Sequence, residues 1–301
     1  MSNGRNYIKR GISYLKRNGI IKTVSKGWER LQSDKAQKGY AVYHAKEAEL
    51  NIQRMKKFQN PYKFSILVPV YETDPGLFKE MLESVIGQTY GNWELIIADA
   101  SRDDSRRSIV RDLSEEHNTS GRDNFGSVFD KIRYFHLNEN RGISKNTNEA
   151  LDKASGDYIC LLDHDDILEK TALFDIMTSI EEKELAARSS ESIAKILVAY
   201  SDEDKVSEDG LWYFDVNRKP DFDPVLLRTN NYICHFTSFK KSLLGDMKFD
   251  SECDGAQDFD IILKVTENTR RIVHLRKCLY YWRASSSSTA LSSSAKSYTT
   301  D

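Results

Sequence analysis

Between Phe64 and Tyr200 the chain alternates short apolar runs, rich in β-branched residues, with stretches of helical spacing, and few folds accept that order. Phe64–Val70, Trp93–Ala98 closing on Asp99, Ile132–Leu137, Tyr158–Leu162 ending at Asp163 and Ile196–Tyr200 read as strands. Leu77–Ile86 and residues 103–117, 143–154 and 171–185 read as helices between them, with a Gly/Asn/Asp-rich loop before Ile132. Strands that are apolar throughout are buried on both faces, as in a parallel sheet covered by helices. The alternation therefore predicts an α/β fold, Rossmann-like, with a mostly parallel central sheet and ligands at the carboxyl ends of its strands. Asp99 and Asp163 stand at two such ends.

The flanks read differently. Ile8, Ile12 and Leu15, then Val24, Trp28 and Leu31, then Ala41, Ala45, Ala48, Ile52 and Met55 recur at helical spacing, with breaks at Gly19 and Ser33-Asp34 and a stop at Pro61. Residues 1–60 are thus expected to form a helical N-terminal extension, 61–283 one domain with halves 61–195 and 196–283, and 284–301 a Ser-rich flexible tail. In the second half the strand at Tyr200 leads into Ser201-Asp202-Glu203-Asp204, after which the pattern is irregular and rich in aromatics. A chain of 301 residues is long enough for one such core and an extension.

The net charge is -2 and the pI about 6.3, so the overall balance does not call for nucleic acid. The first 30 residues are an exception, with Arg5, Lys9, Arg10, Lys16, Arg17, Lys22, Lys26 and Arg30 against Glu29 alone. Each such cation contributes about 1 kcal/mol beside an anionic leaflet. The alternative is a solvated face on a helical cap or an oligomerisation arm. Cys160, Cys234, Cys253 and Cys278 are too scattered for a zinc motif or a disulfide scaffold, which points to a reducing cytoplasm. No apolar run or signal-peptide pattern indicates a membrane span, so the expectation is a soluble or peripheral protein.

Asp163-His164-Asp165-Asp166 places three carboxylates directly after a buried strand. Grouped carboxylates repel unless a cation neutralises them, and a hard divalent metal such as Mg2+ or Mn2+ suits them. A solvated acidic turn capping the next helix would also explain the run.

Its companions narrow the choice. Lys63-Phe64-Ser65-Ile66-Leu67-Val68-Pro69-Val70-Tyr71-Glu72, Ser84-Val85-Ile86-Gly87-Gln88-Thr89-Tyr90 and Glu94-Leu95-Ile96-Ile97-Ala98-Asp99 come in that order. Asn140-Arg141-Gly142-Ile143-Ser144, Asn148-Glu149-Ala150-Leu151, Gly156 to Asp166, Gly255 to Asp260 and Leu279-Tyr280-Tyr281-Trp282-Arg283 follow. Over roughly residues 63–290 this series resembles the family 2 glycosyltransferases. The resemblance implies a GT-A fold and inverting sugar transfer from a UDP- or dTDP-sugar to a glycan or lipid-linked glycan in bacterial surface polysaccharide assembly.

Carried over position by position, it implies that Pro69, Tyr71 and Glu72 line the nucleotide pocket, Asp99 accepts from the base and Asp163 faces the ribose or donor sugar. Asp165 would ligate the metal, Arg141 would add charge near the phosphates, and His164 would point away. Asp258, at the start of an apolar helix, would be the general base that takes the acceptor's proton, with Asp260 its rival. Relatives often carry a histidine at the position of Tyr281, and His274, slightly upstream, is the candidate substitute as a metal ligand. Relatives also usually continue beyond the position of Asp301, so one half of a longer bifunctional enzyme is an alternative, as is a catalytically weak nucleotide-sugar or glycan-binding module. An Asp-x-Asp phosphatase fits less well, because its aspartates would follow the first core strand.

Overall fold

The structure, a computed structural model, describes residues 44–118, 125–189, 195–267 and 269–284 together with Val42. The chain divides into two compact units, Met1–Tyr43 and His44–Asp301. The basic run at 1–30 and the Ser-rich tail therefore lie outside the described residues. Of the N-terminal helical runs, the third is seen as α1, Glu47–Met55.

From there the elements follow the alternation. They are β1 (Phe64–Val70), α2 (Pro75–Ile86), β2 (Trp93–Asp99), α3 (Arg106–Asn118), the single turn α4 (Val128–Lys131), β3 (Ile132–His136), α5 (Ile143–Lys153) and β4 (Tyr158–Leu161). Next come β5 (Ile167–Leu168), α6 (Ala172–Ser189), β6 (Val198–Ser207), β7 (Tyr213–Asn217), the turn α7 (Pro224–Leu227), β8 (Thr237–Lys240), α8 (Gln257–Glu267) and β9 (Ile272–Ala284). The described strands form one sheet in the order β3-β2-β1-β4-β8-β6-β9-β5, with β7 paired to β6.

β3, β2, β1 and β4 run parallel, as the crossover helices between them require. Alternate β1 residues feed two cores. Phe64, Ile66, Val68 and Val70 pack with Phe78, Met81 and Val85 of α2 and Ile176 and Ile180 of α6, while Leu67 faces Ala150 and Leu151 of α5 and Ile261 of α8. Both faces are covered, which is why β1 and β2 read as unbroken apolar runs. Gly156 lets β4 start close to β1: a Cβ there would lie 2.6 Å from Ser65 Oγ and 2.7 Å from the Lys63 carbonyl.

The other strip corrects the sequence reading. β8 returns antiparallel between β4 and β6. The strand read as ending at Tyr200 continues through Ser201-Asp202-Glu203-Asp204, which is the middle of β6, paired in parallel with β9. Asp202, Glu203 and Asp204 are all less than a tenth exposed. An acidic strand hides from hydropathy because its burial depends on partners elsewhere in the chain. Among the described residues, no helix is long and apolar enough to cross a membrane.

Candidate active site

The parallel strands bring their carboxyl ends to one edge of the sheet. Val70 leads there into Tyr71, which is 43 % exposed, and Glu72, held at φ +50°. The Glu72 backbone N–H donates to Ser101 Oγ at 2.8 Å, and its carboxylate accepts from the Arg102 N–H at 3.1 Å. Pro69, half-buried inside β1, lies beside Ala98 of β2. Asp99 ends β2 fully buried, accepting from the Ser101 N–H at 2.9 Å and from Tyr134 Oη at 2.5 Å. Tyr71, Glu72 and Asp99 thus cluster on one edge, with the tyrosine open to solvent.

Arg141 sits in the turn before α5. Its guanidinium donates to Glu149 and lies 3.7 Å from Glu139, so it is ion-paired at the surface. The helix it precedes starts at Gly142, which has φ +88° and no side chain to cap with. The cap comes instead from Asp254, which accepts from the Ser144 N–H at 3.1 Å. Asp254 is a few residues before Asp258, so the turn carrying the candidate base is docked on the amino end of α5.

After β4 the four acidic-motif residues divide their work. Asp166 is buried and accepts from Tyr280 Oη and from the Arg283 N–H at 2.7 Å, which ties the motif to β9. Burial, with Asp163 and Asp165 adding to it, pushes its carboxyl well above the usual range. The buried Arg283 guanidinium also clamps the turn, donating to the Asp165 carbonyl at 2.7 Å and to Glu80 at 2.7 Å. Asp163 and Asp165 stay half-open, with side chains 45 % and 25 % exposed. His164 Nδ1 lies 3.7 Å from Asp165 and is buried without a hydrogen bond.

Opposite them stands a residue that sequence reasoning missed. β8 pairs antiparallel with β4, Cys160 facing Ser238, and continuing that register sets Asp163 across from His235. His235 Nε2 is 3.7 Å from Asp163 Oδ2, and the ring stacks on Tyr280 at 4.8 Å. Burial pushes the imidazole pKa down, but Cys234, Glu203 and Asp163 around it raise it well above its ordinary value. Asp163 is raised by its enclosure, opposed by His235 and reinforced by Asp165 and Asp258; solvent reaching its open side moderates this. No local spacing signals His235, because only the sheet register pairs it with Asp163.

The segment bearing His235 is held from beneath. Lys219, with its side chain fully buried, donates to Glu203 at 3.2 Å, to the Ile233 carbonyl at 3.2 Å and to the His235 carbonyl. Glu203 in turn accepts from the His235 N–H at 2.7 Å and from Asn217 at 3.0 Å. Burial alone would raise Glu203, yet His235 and Lys219 hold it down at about 2.

Asp258 opens α8 and accepts from Asn231 Nδ2 at 2.9 Å. It lies with Cys234 and His235, one ligand atom from each within 4.8 Å of the others. Its rival Asp260 is engaged by Lys264 at 2.6 Å along the same helix. His274, by contrast, is not brought to Asp165. Its ring nitrogens meet Asp202 at 2.7 Å and Asp221 at 3.2 Å, and it stacks on Tyr200 at 4.8 Å, so it is built into β6 and β9. His235 occupies the place beside the aspartates expected for His274. Tyr281 is buried against Glu169, to which its hydroxyl donates at 2.8 Å.

The donor set suits a hard divalent cation, since Asp163 and Asp165 supply half-open carboxylate oxygens with an imidazole alongside, and their mutual repulsion is what a cation relieves.

The sequence model for Glycosyl transferase family 2 matches residues 65–247. Uncharacterized protein y4gI of Sinorhizobium fredii is 37 % identical over 248 residues, covering 81 % of this chain and 25 % of its own length. O-antigen biosynthesis protein RfbC of Myxococcus xanthus is 28 % identical over 232 residues, covering 75 % of this chain and 16 % of its own. The chain thus spans a quarter or less of these two relatives. Among solved structures, S. aureus TarS 1-349 in complex with UDP-GlcNAc aligns with a TM-score of 0.54 at 22 % identity, over 74 % of this chain and 59 % of that one. That likeness is one of fold, the GT-A arrangement of a curled mixed sheet flanked by helices. An acid-ended parallel strip, the Asp163–Asp166 motif clamped by β9 and the family match over most of the domain lead to one conclusion: the chain belongs to glycosyl transferase family 2.

Proposed function

We propose that this domain is an inverting glycosyltransferase that moves a sugar from a UDP- or dTDP-sugar to a glycan or lipid-linked glycan in bacterial surface polysaccharide synthesis. The observation that carries the reading is the convergence of Asp163, Asp165, His235 and Asp258, which come from three separate stretches of chain. In this reading Tyr71 packs on the base and Asp99 fixes it by accepting an imide N–H. Asp163 orients the donor sugar. Asp163 and Asp165 hold Mn2+ or Mg2+, which when bound neutralises the leaving diphosphate as a Lewis acid.

Asp258 takes the proton of the acceptor hydroxyl as its oxygen bonds to the anomeric carbon, while the carbon–oxygen bond to the diphosphate breaks on the opposite face. Asn231, donating to Asp258, keeps one carboxylate oxygen oriented and leaves the other to accept that proton. Pathway and donor class are supported by the names of the relatives and by the UDP-GlcNAc complex of TarS. Asp165→Asn removes a ligand charge with almost no change of volume. Calorimetry with UDP-GlcNAc and Mn2+ is expected to show metal-dependent affinity in the parent and none in the variant; equal affinity would remove the metal assignment.

A lipid-linked acceptor would give the basic residues 1–30 a purpose, as a peripheral attachment to the inner leaflet. Sedimentation with vesicles of anionic lipid is then expected to fall on deleting this segment and on raising salt. Unchanged sedimentation of the deleted protein would count against it.

A further inference from the structure

Cys234 plays no part in the reaction as derived, yet it sits beside the groups that do. Thiol, imidazole and carboxylate ligand atoms of Cys234, His235 and Asp258 lie within 4.8 Å of one another. The thiol is buried, only 7 % exposed, and is contributed by the loop that Lys219 and Glu203 hold in place. Around this group the hydrogen bonding is incomplete. His235 Nδ1 is buried without a hydrogen bond, with Glu203 Oε2 at 3.8 Å, and Asn231, which donates to Asp258, leaves its own Oδ1 buried without a hydrogen bond. Unmet buried polar atoms next to three metal-type ligands are where a cation gains most.

The donor set differs in kind from the aspartate pair. Mg2+ and Mn2+ take oxygen ligands and rarely thiolate, whereas sulfur with imidazole and carboxylate matches Zn2+ and its probe Co2+. Tetrahedral zinc with bonds of about 2.0–2.3 Å needs its ligands roughly 3.5 Å apart. The present upper limit of 4.8 Å means that ligation requires the side chains to rotate inward, with the fourth position left for solvent.

We propose that Cys234, His235 and Asp258 form a second, thiolate-containing site for a borderline divalent cation such as Zn2+, and that its occupancy switches transfer off. Binding releases the Cys234 thiol proton and the His235 imidazolium proton to solvent as the sulfur–metal and nitrogen–metal bonds form, with no change in oxidation state. The bound cation takes the carboxylate of Asp258, so that it no longer accepts the acceptor's proton. The consequence for turnover rests on the proposed role of Asp258, but the site itself does not.

The test uses the full chain stripped of metal and titrated with Co2+. A thiolate-to-cobalt charge-transfer band in the near ultraviolet is expected at one equivalent, displaced by Zn2+ and left in place by excess Mg2+. Cys234→Ser and Cys234→Ala, with melting temperature as the check on folding, are expected to lose the band, and Cys253→Ser to keep it. In the transfer assay with Mn2+, Zn2+ is expected to lower the parent rate at least tenfold and the rate of either Cys234 variant much less. Absence of the band, or its persistence in both Cys234 variants, overturns the site. A band with undiminished transfer overturns the switch alone. A protein with no transferase activity but a Cys234-dependent band would sink the proposed reaction and leave the cation site standing.

Discussion

The strip β3-β2-β1-β4 and the strip β8-β6-β9-β5 belong to one sheet but are filled by different chemistry. Ile66, Leu67, Val68, Leu95, Ile96 and Ile97 fill the first, all fully buried. That strip buries two carboxylates in β2: Asp99 at the site, and Glu94 toward the amino ends of the strands, away from the site, met by Ser65 Oγ at 2.6 Å, the Ser155 N–H at 2.6 Å and Lys63 at 2.9 Å. Asp166, Glu169, Asp202, Glu203, Asp204, Lys219 and Arg283 are buried around the second strip. An apolar interior stabilises in proportion to area and tolerates small changes. A wired interior depends on every partner, because a charge left alone there has no solvent to turn to. The second strip holds His235 in place by such wiring, so placement there is specific in a way that hydrophobic packing is not.

The sharpest way to break the comparison is chemical. Asp258→Asn preserves shape and its contact with Asn231 but cannot accept a proton at neutral pH, and loss of a general base lowers rate roughly 100- to 10,000-fold. Steady-state kinetics are expected to show that loss in turnover, with donor affinity and melting temperature near the parent's. If Asp258→Asn is active while Asp260→Asn is dead, the base is Asp260.

Stability comes next. Lys219→Met leaves Glu203 buried with Asn217, the His235 N–H and the His235 ring but without its ammonium partner, and breaking a buried pair in this way costs up to about 3–5 kcal/mol. Urea unfolding is expected to show that loss, and Lys219→Met/Glu203→Gln to regain most of it. A double variant as unstable as the single one would mean that the pair's wider network, and not its charge, is what matters.

Acid probes Glu94 in the first strip. Burial would raise Glu94, but its bonds to Ser65, Ser155 and Lys63 bring it from 4.5 down to about 2. Its stabilisation is therefore complete above the unfolded value and is lost as pH falls from about 4.5 to about 2. Glu94→Gln is expected to lower stability at neutral pH by at most about 3 kcal/mol and to flatten the acid limb of the stability curve. A parallel downward shift at every pH would mean that Glu94 acts by shape and not by charge. The smallest effect belongs to Ile97→Val, about 1 kcal/mol at a site where only one methylene is lost. A cost matching that of Lys219→Met would erase the distinction between the strips.

Gln88 and Gly156 carry a lesson about motifs. Both lie in runs that resemble the family, and both serve the scaffold: Gln88 Nε2 donates to the Glu169 carbonyl at 2.8 Å while its oxygen accepts from the Leu173 N–H at 3.0 Å, and Gly156 permits the contact of β4 with β1. Motif order pointed to the family without separating groups that would touch a ligand from groups that hold the sheet together.

Hydropathy was enough for the α/β class, the parallel strip and the acid-ended strands, because a strand covered on both faces must be apolar and the polar residues left over collect where it ends. It misread β6 as ending at Tyr200, because an acidic strand is buried only by virtue of Lys219, His274 and the backbone of neighbouring strands. The resemblance put forward His274 for its closeness in sequence to Tyr281 and did not bring in His235. Proximity in space was decided by the antiparallel return of β8 beside β4, by the Lys219–Glu203 pair beneath it and by the Asp254 cap on α5. Those are contacts between residues far apart in the chain, and sheet register and burial set them, where no local pattern reaches.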